Sequence, residues 1–151
     1  MKKALSLSKI SLGSTLVVTL LSVVQLPTVA ETAKSPGLII NSGSTNTCPY
    51  TISVLPSGQA TYTVCNTQGK GEISHPLTTK FFDDIKAAQP LSKLPFIRCA
   101  KSVSFGTTTK VNYRKQKSPD VSCHSNDAKV TNLFNDAQSI QQELGFSTSK
   151  R

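Results

Sequence analysis

The stretch YTISVLPSGQATYTV, residues 50–64, decides the fold, because apolar residues alternate with Thr and Ser on both sides of a Pro-Ser-Gly turn signal. Successive side chains of a strand point to opposite faces. A three-residue loop at Pro56–Gly58 therefore sets Tyr50, Ile52 and Val54 opposite Val64, Tyr62 and Ala60. Thr51, Ser53, Thr61 and Thr63 fall on the other side. One face of this hairpin is suited to burial and the other to water.

Beyond the hairpin, a Gly-rich link holding Gly69 and Gly71 leads to Ser74-His75-Pro76, which opens a helix. Leu77, Phe81 and Ile85 recur every four residues, Phe82 widens the apolar side, Ser74 or His75 is the cap, and Gln89-Pro90 ends the element. Residues 90–97 form an irregular connection whose Leu91, Leu94 and Phe96 are expected to cover an edge of the core. Alternation then resumes at residues 100–115, where a turn around Phe105-Gly106-Thr107-Thr108 predicts pairs of Val103 with Val111, Phe105 with Thr109 and Lys101 with Tyr113. Ser102, Ser104, Lys110, Asn112 and Arg114 would show on the opposite face. A last helix over 127–144 carries Val130, Leu133, Phe134, Ala137, Ile140 and Leu144 on one side, with Asn126 or Asp127 at its start and Gly145 past its end.

This order predicts an α+β fold: a four-stranded antiparallel sheet built from two hairpin-helix (ββα) units, with both helices on one face. Phe82-x-Asp84 and Phe134-x-Asp136 hold matching places on the two helices, although identity between the halves is otherwise thin. Duplication and the plain frequency of such arrangements both account for that.

Residues 1–30 read as a signal peptide: Lys2, Lys3 and Lys9 precede an uncharged run from Ile10 to Val24, and Thr28 and Ala30 supply small residues for cleavage. The run is shorter than the roughly 20 apolar residues a spanning helix needs, and no later segment is long and apolar enough to span a bilayer. The expected organisation is a leader at 1–30, a flexible lead-in at 31–47, one disulfide-braced domain at 48–146 and a flexible tail at 147–151. Such a protein is exported, to a periplasm or to the extracellular space.

All four cysteines, Cys48, Cys65, Cys99 and Cys123, follow the leader, and an even number in an oxidising compartment favours two disulfides over a metal site. Three connectivities are open. Sequential pairing, 48 with 65 and 99 with 123, is geometrically the simplest, yet strict alternation places Cys48 and Cys65 on opposite faces of the first hairpin.

The chain holds 17 basic and 8 acidic residues; without the three leader lysines the balance is 14 to 8, a formal charge of +6. Lys101, Lys110, Arg114, Lys115 and Lys117 cluster with Arg98 and no acid intervenes before Asp120, so they are the candidate anion-binding patch, with Lys110 and Arg114 sharing an outward face. Lysine-rich surfaces that only keep a sheet soluble have the same look. No catalytic constellation is legible: His75 and His124 are the only histidines, no G-x-S-x-G or phosphate loop occurs, and Asp83, Asp84, Asp136 and Glu143 read as solvated helix surface. No cofactor or metal is implied. The reading is an exported noncatalytic domain that binds a macromolecule or an anionic surface, with nucleic acid disfavoured by the compartment. A secreted peptidase inhibitor presenting loop 56–59 or 115–120 is the alternative.

Overall fold

The computed structural model describes residues 35–150. The leader assigned to 1–30, residues 31–34 of the lead-in and Arg151 lie outside the described residues. Along the chain come Gly37–Asn41 (β1), Tyr50–Val54 (β2), Gln59–Val64 (β3), Thr67–Glu72 (β4), His75–Ala87 (α1), Thr109–Tyr113 (β5), Gln116–Lys117 (β6) and Ala128–Glu143 (α2). The strands make one antiparallel sheet in the order β4-β3-β2-β1-β5-β6. The α+β class holds, but the sheet has six strands instead of four.

The first hairpin pairs Tyr50 with Val64, Ile52 with Tyr62 and Val54 with Ala60, the register that alternation predicts. Gly58, at φ 88°, supplies the left-handed residue its short loop needs, and its N–H donates to the Leu55 carbonyl at 2.9 Å. The Gly-rich link is itself a strand. Glycine is needed there because a Cβ at Gly69 would come 2.3 Å from Tyr62 Cζ, and one at Gly71 would come 2.6 Å from Leu144 Cδ2.

The second hairpin does not form. β5 exists, but its long partner is β1, which pairs Ile39 with Val111 on one side and with Ile52 on the other. Leu38-Ile39-Ile40 lies in the segment expected to be a flexible lead-in, and it is the inner strand that joins the two halves of the sheet. The physical reason is burial: Ile39 is 0 % exposed, whereas Val103 and Phe105, the residues expected opposite β5, are 85 % and 66 % exposed. Phe96, expected at the core edge, is also exposed, while Leu91 and Leu94 are buried as expected. The segment expected as a tail is tied down too, since Thr148 accepts from the Cys48 N–H and Asn46 accepts from the Lys150 N–H.

Both helices pack on the face that carries Ile39, Ile52, Val54, Val111 and Tyr113. Phe81 and Ile85 of α1 lie against Gly37, Phe82 of α1 meets Tyr113 edge to face, and Leu144 beyond α2 lies against Gly71. Pro76 sits in the first turn of α1, where no N–H is missed, and Ser74 is the N-cap residue without a capping side-chain bond. Ser74 instead donates its N–H and hydroxyl to the Glu143 carboxylate, at 2.6 and 3.2 Å, which ties the start of α1 to the end of α2. Asp127 caps α2 by accepting the Lys129 N–H at 2.8 Å, and Gly145 follows at φ 67°.

The disulfides are Cys48–Cys65 and Cys99–Cys123, the sequential pairing. Alternation fails at Cys65, whose φ of 50° starts the two-residue turn into β4 and brings its Cα to 5.0 Å from that of Cys48. Two bridges point to an oxidising, exported environment. No helix among the described residues is long and apolar enough to cross a membrane.

Candidate anion-binding surface

With both helices on one face, the other face of the sheet is uncovered. The register lines up Lys70, Thr61, Ser53, Leu38, Asn112 and Lys117 across all six strands, one residue from each. At about 4.8 Å per strand the row spans roughly 24 Å. A second row runs Gln68, Thr63, Thr51, Ile40, Lys110. Hydroxyls occupy the β2–β3 part, and Lys110 and Lys117 lie diagonally to each other at the β5–β6 flank. Diagonal cross-strand neighbours stand about 7–8 Å apart, a spacing that one extended anionic chain can bridge.

Beside Lys110 a groove of about 420 Å³ opens between residues 96–101 and β5, with Phe96, Arg98, Lys110 and Pro119 in its lining together with Lys101 and Asp120. Two restraints fix its outer wall. Cys99 is bonded to Cys123, and Lys101 reaches under the groove to Asp120 at 2.9 Å. Asp120 also accepts the Thr109 N–H at 2.9 Å, the Ser122 N–H at 3.0 Å and the Ser122 hydroxyl at 2.6 Å. Burial would raise the Asp120 carboxyl, but the bonds from Ser122, Lys101 and Thr109 outweigh it and hold the group below the usual carboxylate range. The buried negative charge is thus fully occupied within the protein. Arg98 lies over the exposed Phe96 ring at 5.8 Å and has no carboxylate partner among the described residues.

The residues of the expected patch separate accordingly. Lys110 is exposed on the open face and at the groove, and Lys117 is exposed in the same face beside Asn112. Lys115 is exposed in the β5–β6 turn. Lys101 is largely enclosed, with its ammonium donating to Thr107 O and Ser122 Oγ at 2.5 Å each as well as to Asp120, so it builds the wall and is not open to a ligand. Arg114 does not share the outward face of Lys110: it sits in the turn at φ 49°, over the ring of Tyr113, whose side is the helix face. Sequence reasoning placed Arg98 in the basic run but missed the exposed Phe96 beside it; the adjacency of Arg98 to Cys99 was the available signal, since a disulfide fixes its neighbours in place.

The helix carboxylates are not all solvated surface. Asp136 is 2 % exposed, and Lys80 of α1 donates to it at 2.5 Å and to Asp84 at 2.7 Å. The two Asp residues of the matching Phe-x-Asp motifs thus meet across the helix pair. Burial raises the Asp136 carboxyl to about 6 against the pull of Lys80, with the neighbouring Asp84 adding to the rise. Burial also works to raise Asp84, but bonds from Lys80 and Asn132 keep that group low. Asp83 is exposed, as expected, and pairs with Lys86 at 2.9 Å. His75 and His124 are both exposed, and among the described residues no three His, Cys, Asp or Glu side chains come together to hold a metal ion. No family model, no curated protein and no solved structure matches the chain.

Proposed function

We propose that the protein is an exported noncatalytic domain that binds an anionic macromolecule or surface through the Phe96–Arg98–Lys110 groove and the adjoining basic flank of the open sheet face. The observation that carries this reading is the segregation of charge. Every ion pair among the described residues uses Lys80, Lys86 or Lys101, while Arg98, Lys110, Lys115 and Lys117 make none, and Asp120, the carboxylate at the groove, is taken up by Lys101. An extended polyanion laid over Arg98, Lys110 and Lys117 would find paired cations at a fixed spacing, with Phe96 and Pro119 offering apolar contact to its backbone.

Titration calorimetry with heparin as a model polyanion tests it. The double variant Arg98→Glu, Lys110→Glu should weaken binding by about tenfold, two exposed charge contacts contributing up to about 1 kcal/mol each. Raising salt should remove much of the remaining affinity. Binding unchanged by the double variant would contradict the assignment of this surface.

A loop-type peptidase inhibitor has one observation in its favour: Val103 and Phe105 are exposed on a turn braced by Cys99–Cys123 and by bonds from Thr45 and Asn46 to the Val103 and Ser104 carbonyls. Of the loops expected for that role, 56–57 is exposed, but Ser118 and Asp120 are buried and bonded to β5. Absence of inhibition across a peptidase panel at micromolar protein would sink this second reading.

A further inference from the structure

The edge of the sheet opposite the groove is open as well, and its chemistry is specific. The Ile73 N–H donates to the Gly58 carbonyl, so residue 73 faces β3. Alternation then turns the backbone groups of residues 71, 69 and 67 inward and those of Gln68, Lys70 and Glu72 outward. These outward N–H and C=O groups have no partner among the described residues. On the helix side of the same edge, Gly69 and Gly71 present no side chain, and the half-buried Tyr62 and Leu144 lie over them, with Phe146 stacked on Tyr62. On the open side, the edge carries Lys70.

Self-pairing is the first use to consider for a free edge. In the antiparallel register that engages all three outward residues of both copies, Gln68 faces Glu72 and Lys70 faces Lys70. Two like charges directly opposite one another oppose that register. The same position rewards an acidic residue in a foreign strand. The neighbours of that residue would point over Gly69 and Gly71, onto Tyr62 and Leu144.

We infer that β4 is a docking edge for an extended segment of another polypeptide with an apolar-acidic-apolar pattern, its acid opposite Lys70 and its apolar side chains against Tyr62 and Leu144, which cover the two glycines. Main-chain bonds to Gln68, Lys70 and Glu72 supply affinity, and Lys70 with the Tyr62–Leu144 surface supplies selection. This edge lies across the sheet from the groove, so the inference stands independently of the polyanion reading.

The test is an NMR titration of the isotope-labelled, disulfide-intact protein with the blocked peptide Thr-Val-Glu-Val-Thr and its counterpart with Lys at the centre. The amides of Gln68, Lys70 and Glu72 should shift and gain protection from exchange. The Glu peptide should bind about threefold more tightly than the Lys peptide, the size of one exposed cross-strand charge pair. Lys70→Glu, an exposed substitution, should reverse that order, and Arg98→Glu with Lys110→Glu should leave it unchanged. Equal affinity for the two peptides, no binding at millimolar peptide, or shifts that avoid β4 would overturn the inference.

Discussion

On the helix side of the sheet Lys80 lies between Asp84 and Asp136 and Lys86 pairs with Asp83, whereas on the open side Lys70, Lys110 and Lys117 meet no carboxylate. Both sides are held by the same six strands, and the strand residues alternate strictly between them. Lys80 ties α1 to α2 through Asp136, whereas Lys86 and Asp83 pair within α1. The charges of the open side act outward, and nothing within the described residues answers them. The ion pairs of Lys80 and Lys86 thus lie on the helix side while the lysines of the open side make none, a difference that net charge alone conceals.

The contrast is sharpest within one strand. Ile39 is 0 % exposed beneath the helices, and Ile40 is half-buried on the open face. Ile39→Ala should destabilise the protein by about 3–4 kcal/mol through lost burial and the cavity left behind. Ile40→Ala should cost less than about 1 kcal/mol. Urea unfolding of the two variants checks both numbers. Similar losses would mean that the open face is covered by something else, and a negligible loss for Ile39 would remove β1 from the centre of the sheet.

A smaller effect comes from the buried acid of the helix side. The Asp136 carboxyl titrates near 6, above its ordinary 3.8, so folding favours its protonated form. The stability it confers is complete below pH about 4 and is lost as pH rises through about 6, an effect of roughly 2–3 kcal/mol. Asp84, held low, works in the opposite direction and loses its contribution as pH falls below its ordinary value. Asp136→Asn should flatten the decline between pH 4 and 6, measured by urea midpoints at several pH values. The same decline in the variant would show that the helix pair is not its source.

How much of this was legible in the chain depended on whether partners lay close in sequence. The β2–β3 register could be read because Tyr50, Ile52 and Val54 meet residues across a short loop with a turn signal. α1 and α2 could be read from their apolar period. β1 could not, since Leu38-Ile39-Ile40 is a three-residue apolar island among Ser, Asn and Gly, and its partners are distant in sequence on both sides. β4 was hidden by Gly69 and Gly71, which read as loop residues until the Tyr62 ring and Leu144 are seen to need their space. Of the candidate site, charge patterning identified Lys110, Lys115 and Lys117, but it could not separate them from Lys101. That lysine differs in having Asp120, Ser122 and the Thr107 carbonyl folded around its ammonium. The burial of Asp136 was hinted at by the matching Phe-x-Asp motifs, because equal placement on two helices that share a face brings the acids together.

Chemical-shift mapping of the isotope-labelled protein with heparin tests most directly whether the unpaired cations beside β5 are the working surface. Shifts concentrated at 96–101, Thr108–Lys110 and Gln116–Lys117, with the amides around Lys80 and Lys86 unmoved, are the result expected. Shifts centred on the outer sides of α1 and α2, with the groove silent, would contradict it.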